Sequence, residues 1–145
     1  MKILDANLLL YAVNEDAPQH ARARVWLEEV LAGSETIGFA WVVLLAVVRL
    51  STRPAVFPHP LRAEDAFDLV ELWMTQPCST VLEPGERHLR ILRELIGALG
   101  TGGNLTSDAH LAALAIEHGA ELCSCDSDFS RFPGLRWRNP LVAVE

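Results

Sequence analysis

Hydrophobic and polar positions along the chain alternate between two periods, and the switch between them predicts the elements. Lys2 to Asp5 is a short apolar run ending in an acid, and Ala6 to Val13 places Leu and Tyr at helical spacing, so a first strand hands over to a helix at Asp5. Gln19 to Leu31 reads as an amphipathic helix with Ala21, Val25, Trp26 and Val30 on its apolar side and Gly33 as its stop. Glu35 to Phe39 is a second strand. Ala40 to Thr52 is apolar on nearly every side, which predicts the most buried helix, closed by Arg53-Pro54. The Pro-rich stretch Pro54 to Pro60 is a loop. A helix over Ala63 to Thr75 turns Phe67, Val70 and Trp73 inward, and Ser79 to Leu82 is a third strand. From Pro84 or Gly85 to about Leu99 another helix carries Leu89, Leu92, Leu95 and Ile96 as its apolar stripe. The loop Gly100 to Asn104 is expected to be the most flexible point. Asp108 to His118 forms the last helix, capped by Thr106 or Ser107 and stopped by Gly119. Glu121 to Ser124 is a strand that again runs into an acid, Asp126.

Strands and helices alternate without internal repeat or linker. This predicts one α/β domain over residues 1–145, a three-layer sandwich with a mainly parallel central sheet flanked by helices. Half of the residues are apolar, enough for a core without disulfides. Cys78, Cys123 and Cys125 are an odd number with no partner pair at zinc-finger spacing, so they read as thiols in or near buried strands. The N-terminus has no signal-peptide pattern, and no apolar run reaches the roughly 18 residues of a membrane span. A cytoplasmic protein with no membrane partner is expected.

The net charge of −7 argues against a general nucleic-acid binder, so a nucleic-acid site must be local. All basic residues but Lys2 are arginine. In open parallel sheets ligands bind outside the carboxyl ends of the strands, where acids far apart in sequence can converge. Asp5 and Asp126 close strands, Asp108 opens a helix, and Asp128 lies two residues past Asp126. Clustered carboxylates stay ionised beside a hard cation, and oxygen ligands select Mg²⁺ or Mn²⁺ over zinc. Singly, Asp108 reads as a helix cap and Asp126-Ser-Asp128 as a turn. Asp5, at the end of a short apolar strand, has little structural reason to be there.

The stretch Ile3 to Asn14 (ILDANLLLYAVN), the stretch Thr106 to Gly119 (TSDAHLAALAIEHG) and the run from Leu122 through Asp126-Ser-Asp-Phe129 to Leu135 carry a resemblance that spans nearly the whole chain. The sequence resembles the PIN-domain ribonucleases, particularly the VapC-type toxins. That resemblance implies a parallel sheet between helices, a homodimer, Mg²⁺ or Mn²⁺ at the acidic cluster, endonucleolytic cleavage of RNA, and inhibition by a small cognate antitoxin. It makes Asp5 and Asp108 the principal metal ligands and catalytic residues, Asp126 a third, and Asn7 and Asp128 supports.

One departure stands out. The family pattern places a glutamate on the helix after the second strand, and aligning Arg49 with the arginine that follows it puts Ala46 there. Either the remaining aspartates hold a single metal, or another acid substitutes, or activity is weak, and a PIN-like module that binds RNA or a partner without cutting is the competing reading. Arg49 itself is either a buried partner of the acids or a snorkelling surface residue. Arg131, Arg136 and Arg138 beside Trp137 form either a local RNA patch or a solvated edge. His20 and His110 are assigned no catalytic role. Trp26, Trp41 and Trp73 read as core or dimer packing. An aspartate-nucleophile phosphatase or a receiver domain needs a second acid where Asn7 stands and a phosphate-holding lysine, and no Gly-x-x-x-x-Gly-Lys marks a P-loop.

Overall fold

The computed structural model describes residues 1–142. Five strands form one sheet in the order β3-β2-β1-β4-β5, with β1 at Lys2–Leu4, β2 at Ile37–Phe39, β3 at Ser79–Val81, β4 at Glu121–Cys123 and β5 at Trp137–Arg138. All four pairings are parallel. The helices are α1 Ala6–Val13, α2 His20–Ala32, α3 Trp41–Ser51, α4 Ala63–Met74, α5 His88–Leu99 and α6 Thr106–Glu117. The sandwich expected from the alternation is the fold that forms, and its sheet is parallel throughout.

Each strand is only two or three residues long, so the central strands are buried on both faces instead of alternating. Ile3, Leu4, Ile37, Phe39, Leu122 and Cys123 are fully enclosed. A Cβ at Gly38 in β2 would lie 2.5 Å from Leu82 Cδ1 and 3.3 Å from Ile3 Cγ1, so Leu82 would have to move to admit a side chain there. Leu82 therefore packs directly on the backbone of β2.

The core separates the helices differently from the sequence pattern. The most enclosed helix is α6, where Ala109 and the whole run Leu111 to Ala115 are buried. Small side chains let it lie close to the sheet. The expectation that α3 is the most buried fails: Val43, Leu44 and Val47 face the core, while Trp41, Val42 and Leu45 are exposed. An all-apolar helix carries no polar face to show which side meets solvent. Trp41 is thus not core, whereas Trp73 is.

Three other faces are corrected. In α2 the buried residues are Ala23 and Leu27, with Ala21 exposed and Val25 55% exposed. In α4 Phe67 points outward at 54% exposure, and Ala66, Val70 and Trp73 point in. In α5 Leu89 is 66% exposed, and His88, Ile91 and Leu95 form the buried stripe. In each case one or two apolar residues beside the true stripe widened the apparent face, and the neighbouring helix selected the narrower one.

Gly119, at φ +64°, ends α6 as expected. The entry to α5 is pinned from across the molecule, with the Glu117 carboxylate accepting the backbone N–H groups of Gly85 at 2.6 Å and Arg87 at 2.9 Å. The strand β5 has no counterpart in the sequence reading, since two residues are too short to show a period. Its pairing with β4 puts Leu122 beside Trp137 and Cys123 beside Arg138. Among the described residues no helix is long and apolar enough to cross a membrane. All three cysteines are unbridged, with Cys123 buried in β4, where burial pushes its thiol up to about 12.

Candidate active site

Strand β1 ends at Leu4, and Asp5 turns the chain out of the sheet as the N-cap of α1, with its Oδ1 accepting the Ala6 N–H at 2.8 Å. The cap geometry follows from an extended Asp5 backbone, held by a hydrogen bond from Asp5 N to the Cys123 carbonyl at 3.0 Å. Asp5 thus stands at the carboxyl ends of the two central strands, β1 and β4.

The residue that organises this point is Ser124, expected as the last residue of a strand and found just beyond the end of β4. It is 0% exposed. Its hydroxyl donates to Asp5 Oδ2 at 2.7 Å and accepts from Asn7 Nδ2 at 3.0 Å and from the Asp126 N–H at 3.0 Å. Asn7 also donates from Nδ2 to Asp5 Oδ2 at 3.3 Å and accepts the Cys125 N–H through Oδ1 at 3.2 Å. Trp137 Nε1 donates to the Ser124 carbonyl at 3.0 Å, so the edge strand β5 braces the same turn. A serine between two cysteines after an apolar strand carries no periodic signal; only its position beside Asp5 reveals the role.

Asp126 starts a short 3₁₀ turn, Ser127–Arg131, and its Oδ1 accepts the Asp128 N–H at 2.9 Å. The turn reading and the acidic reading of Asp126 are compatible, because one carboxylate oxygen serves the turn. Asp128 is exposed at the rim. Asp108 enters from the first turn of α6, which begins at Thr106 without a side-chain cap, so neither Thr106 nor Ser107 caps it as expected.

The electrostatics show that these acids share a field. The Asp108 carboxyl is pushed up to about 6, first by burial and then by the charges of Asp5, Asp126 and Asp128. Asp5 is also raised: burial outweighs the hydrogen bonds from Ser124 and Ala6 that favour its ionised form, and Asp126 adds repulsion. No cation figures among the causes acting on either group. Asp5, Asp108, Ser107, Ala46 and Arg49 line one pocket of about 200 Å³, together with Ala6, Val42, Val43 and Leu111. Arg49 is exposed on its wall, so the alternative of a buried partner is set aside.

The donor set suits a hard cation, being all oxygen and lacking positive charge of its own. Among the described residues no group of three or more His, Cys, Asp or Glu side chains is placed to hold a metal ion. An open set fits Mg²⁺, which keeps several waters and takes one or two carboxylates plus substrate oxygens.

The remaining candidates lie elsewhere. His110 Nδ1 meets His88 Nε2 at 3.0 Å between α5 and α6, and burial followed by the neighbouring His88 lowers its pKa. His20 Nδ1 is 2.9 Å from the Tyr11 carbonyl. Arg131 and Arg138 are exposed, and Arg136 donates to the Gly119 carbonyl at 2.6 Å, consistent with an edge tied to the fold. An apolar groove of about 440 Å³ between α1, α2 and α4, lined by Leu27, Leu31, Leu69 and Trp73 among others, is away from the acids.

Comparison with known proteins agrees with this geometry. The PIN domain model matches residues 2–135. Ribonuclease VapC37 of Mycobacterium tuberculosis is 50% identical over 97% of this chain and 97% of its own. Ribonuclease VapC33 of the same species is 43% identical over 97% and 99%. The crystal structure of VapBC2 from Rickettsia felis bound to a promoter DNA fragment superposes with a TM-score of 0.68, at 20% identity over 95% of this chain and 97% of that one, a likeness of fold. With the family model covering nearly every described residue and VapC relatives aligning from end to end, the chain belongs to the PIN-domain family.

Proposed function

We propose that this protein is a Mg²⁺- or Mn²⁺-dependent endoribonuclease, the toxin of a toxin–antitoxin pair. The observation that carries the proposal is the uncompensated set of carboxylates gathered at the carboxyl ends of β1 and β4 and the start of α6, where burial first, and then the charges of Asp5, Asp126 and Asp128, push Asp108 up to about 6. A cost of that kind is retained where a cation or substrate relieves it. The full-length likeness to proteins named VapC ribonucleases supports RNA as the substrate, and the solved VapBC complexes support a cognate antitoxin as partner.

Asp5 and Asp108, which line the pocket, would hold the metal, with Asp126 as a third ligand by the family resemblance and Asp128 nearby. A metal bound there would supply a water of lowered pKa and offset charge on the phosphodiester. Ser124 and Asn7 both donate to Asp5 Oδ2 while the Ala6 N–H donates to Oδ1, which fixes the plane of the carboxylate. The small Ala46 side chain leaves room beside Asp5 and Asp108 and contributes no charge. A single metal is the occupancy this donor set suits. A homodimer follows from the family reading.

Ala46 also favours the second reading, a module that grips RNA without cutting. Cleavage of a panel of structured RNAs by the antitoxin-free protein, with Mg²⁺ or with chelator, decides between them. Mg²⁺-dependent cuts that disappear in Asp5→Asn are expected. RNA binding without any cut in either condition would move the binding module ahead.

A further inference from the structure

We infer that Arg49 is the substrate-binding cation of this site, holding an RNA phosphate at the wall of the acidic pocket. The inference rests on the ribonuclease reading above.

Arg49 is the sole charged residue of α3, a helix otherwise built from apolar side chains and a terminal serine. Val42, Ala46 and Arg49 recur at spacings of four and three, which places them on one stripe, and all three line the pocket that holds Asp5 and Asp108. The ion pairs formed among the described residues join Glu35 to Lys2 and to the N-terminus, Arg24 to Glu28, and His59 to Asp16, and none includes Arg49. Arg49 therefore lines the acidic pocket without forming an ion pair to its acids.

A chain of net charge −7 repels RNA at long range, so a local cation has a large share in admitting it. Arginine fits the task, since its planar fork gives two parallel hydrogen bonds to a phosphate where lysine offers a point charge.

The test uses Arg49→Ala and Arg49→Lys in the full chain, each checked for unchanged melting and unchanged Mg²⁺-induced stabilisation. Binding of a labelled single-stranded RNA is measured across a salt series in an Asp5→Asn background, so that no cleavage intervenes, and steady-state kinetics are measured with Asp5 intact. Expected for Arg49→Ala are binding weakened about tenfold, a salt slope reduced by about one, and KM raised about tenfold with kcat within about threefold. Arg49→Lys should keep the slope and lose part of the affinity. Unchanged RNA binding and KM in Arg49→Ala would overturn the assignment, as would loss of kcat with binding intact. If the unaltered protein cuts no RNA, the ribonuclease reading fails, and the binding series still decides the role of Arg49.

Discussion

The hydroxyl of Ser124 joins Asp5, Asn7 and the Asp126 backbone in one buried knot. A buried hydroxyl in a strand-like stretch resembles any small strand residue; its function depends on a partner more than a hundred positions away. Ser124→Ala would leave the Asn7 amide and the Asp126 N–H short of an acceptor and free the Asp5 carboxylate to turn. The expected cost is about 1–3 kcal/mol in denaturant unfolding, with Mg²⁺-dependent cleavage reduced. Stability equal to the parent protein would show that water replaces the hydroxyl fully.

Elements set the next level, and here packing overrode pattern. The apolar residues of α2, α4 and α5 predicted that these helices are amphipathic, yet Val25, Phe67 and Leu89 face solvent, since each helix was rotated by the neighbour it packs on. The Pro-rich segment after α3 was read as a loop, which it is, but its attachment was not foreseen. Phe57 is buried, Leu61 N donates to the Ser51 carbonyl at 2.8 Å, and His59 Nδ1 lies 3.0 Å from Asp16 Oδ2 in the turn between α1 and α2. The hydrogen bond and charge of Asp16, with a smaller contribution from Glu15, raise the His59 pKa. A raised value in the folded state means the pairing is fully present below the ordinary histidine value of about 6.5 and is lost as pH rises through the raised one. Titration of the His59 ring by NMR should show a midpoint above 6.5 that falls toward the ordinary value in Asp16→Asn. A midpoint indifferent to that substitution would mean the segment is held by Phe57 and Leu61 alone.

For the molecule as a whole, the acidic cluster ties together β1, β4 and α6, elements from both ends of the chain. Relieving the repulsion among them should therefore stabilise the entire fold and not one segment. Mg²⁺ is expected to raise the thermal midpoint of the antitoxin-free protein, approaching about 2.7 kcal/mol when its free concentration is a hundredfold over Kd. In Asp108→Asn the increment should shrink, while the metal-free midpoint should rise because one repelling charge is gone. A midpoint insensitive to Mg²⁺ in the parent protein would count against a metal at this cluster.

The sequence by itself determined the alternation of strand and helix, hence the parallel sandwich, and it marked the acids at the strand ends, because short-range periodicity and the abrupt arrival of charge are written locally. Tertiary structure alone decided which helical faces are buried, that Trp137–Arg138 completes the sheet, that Ser124 holds Asp5, and that Arg49 shares a wall with Asp5 and Asp108 instead of pairing with an acid. These are contacts between residues far apart in the chain. A local pattern constrains what each segment prefers, but only the packed molecule fixes the distances at which hydrogen bonds and charges act.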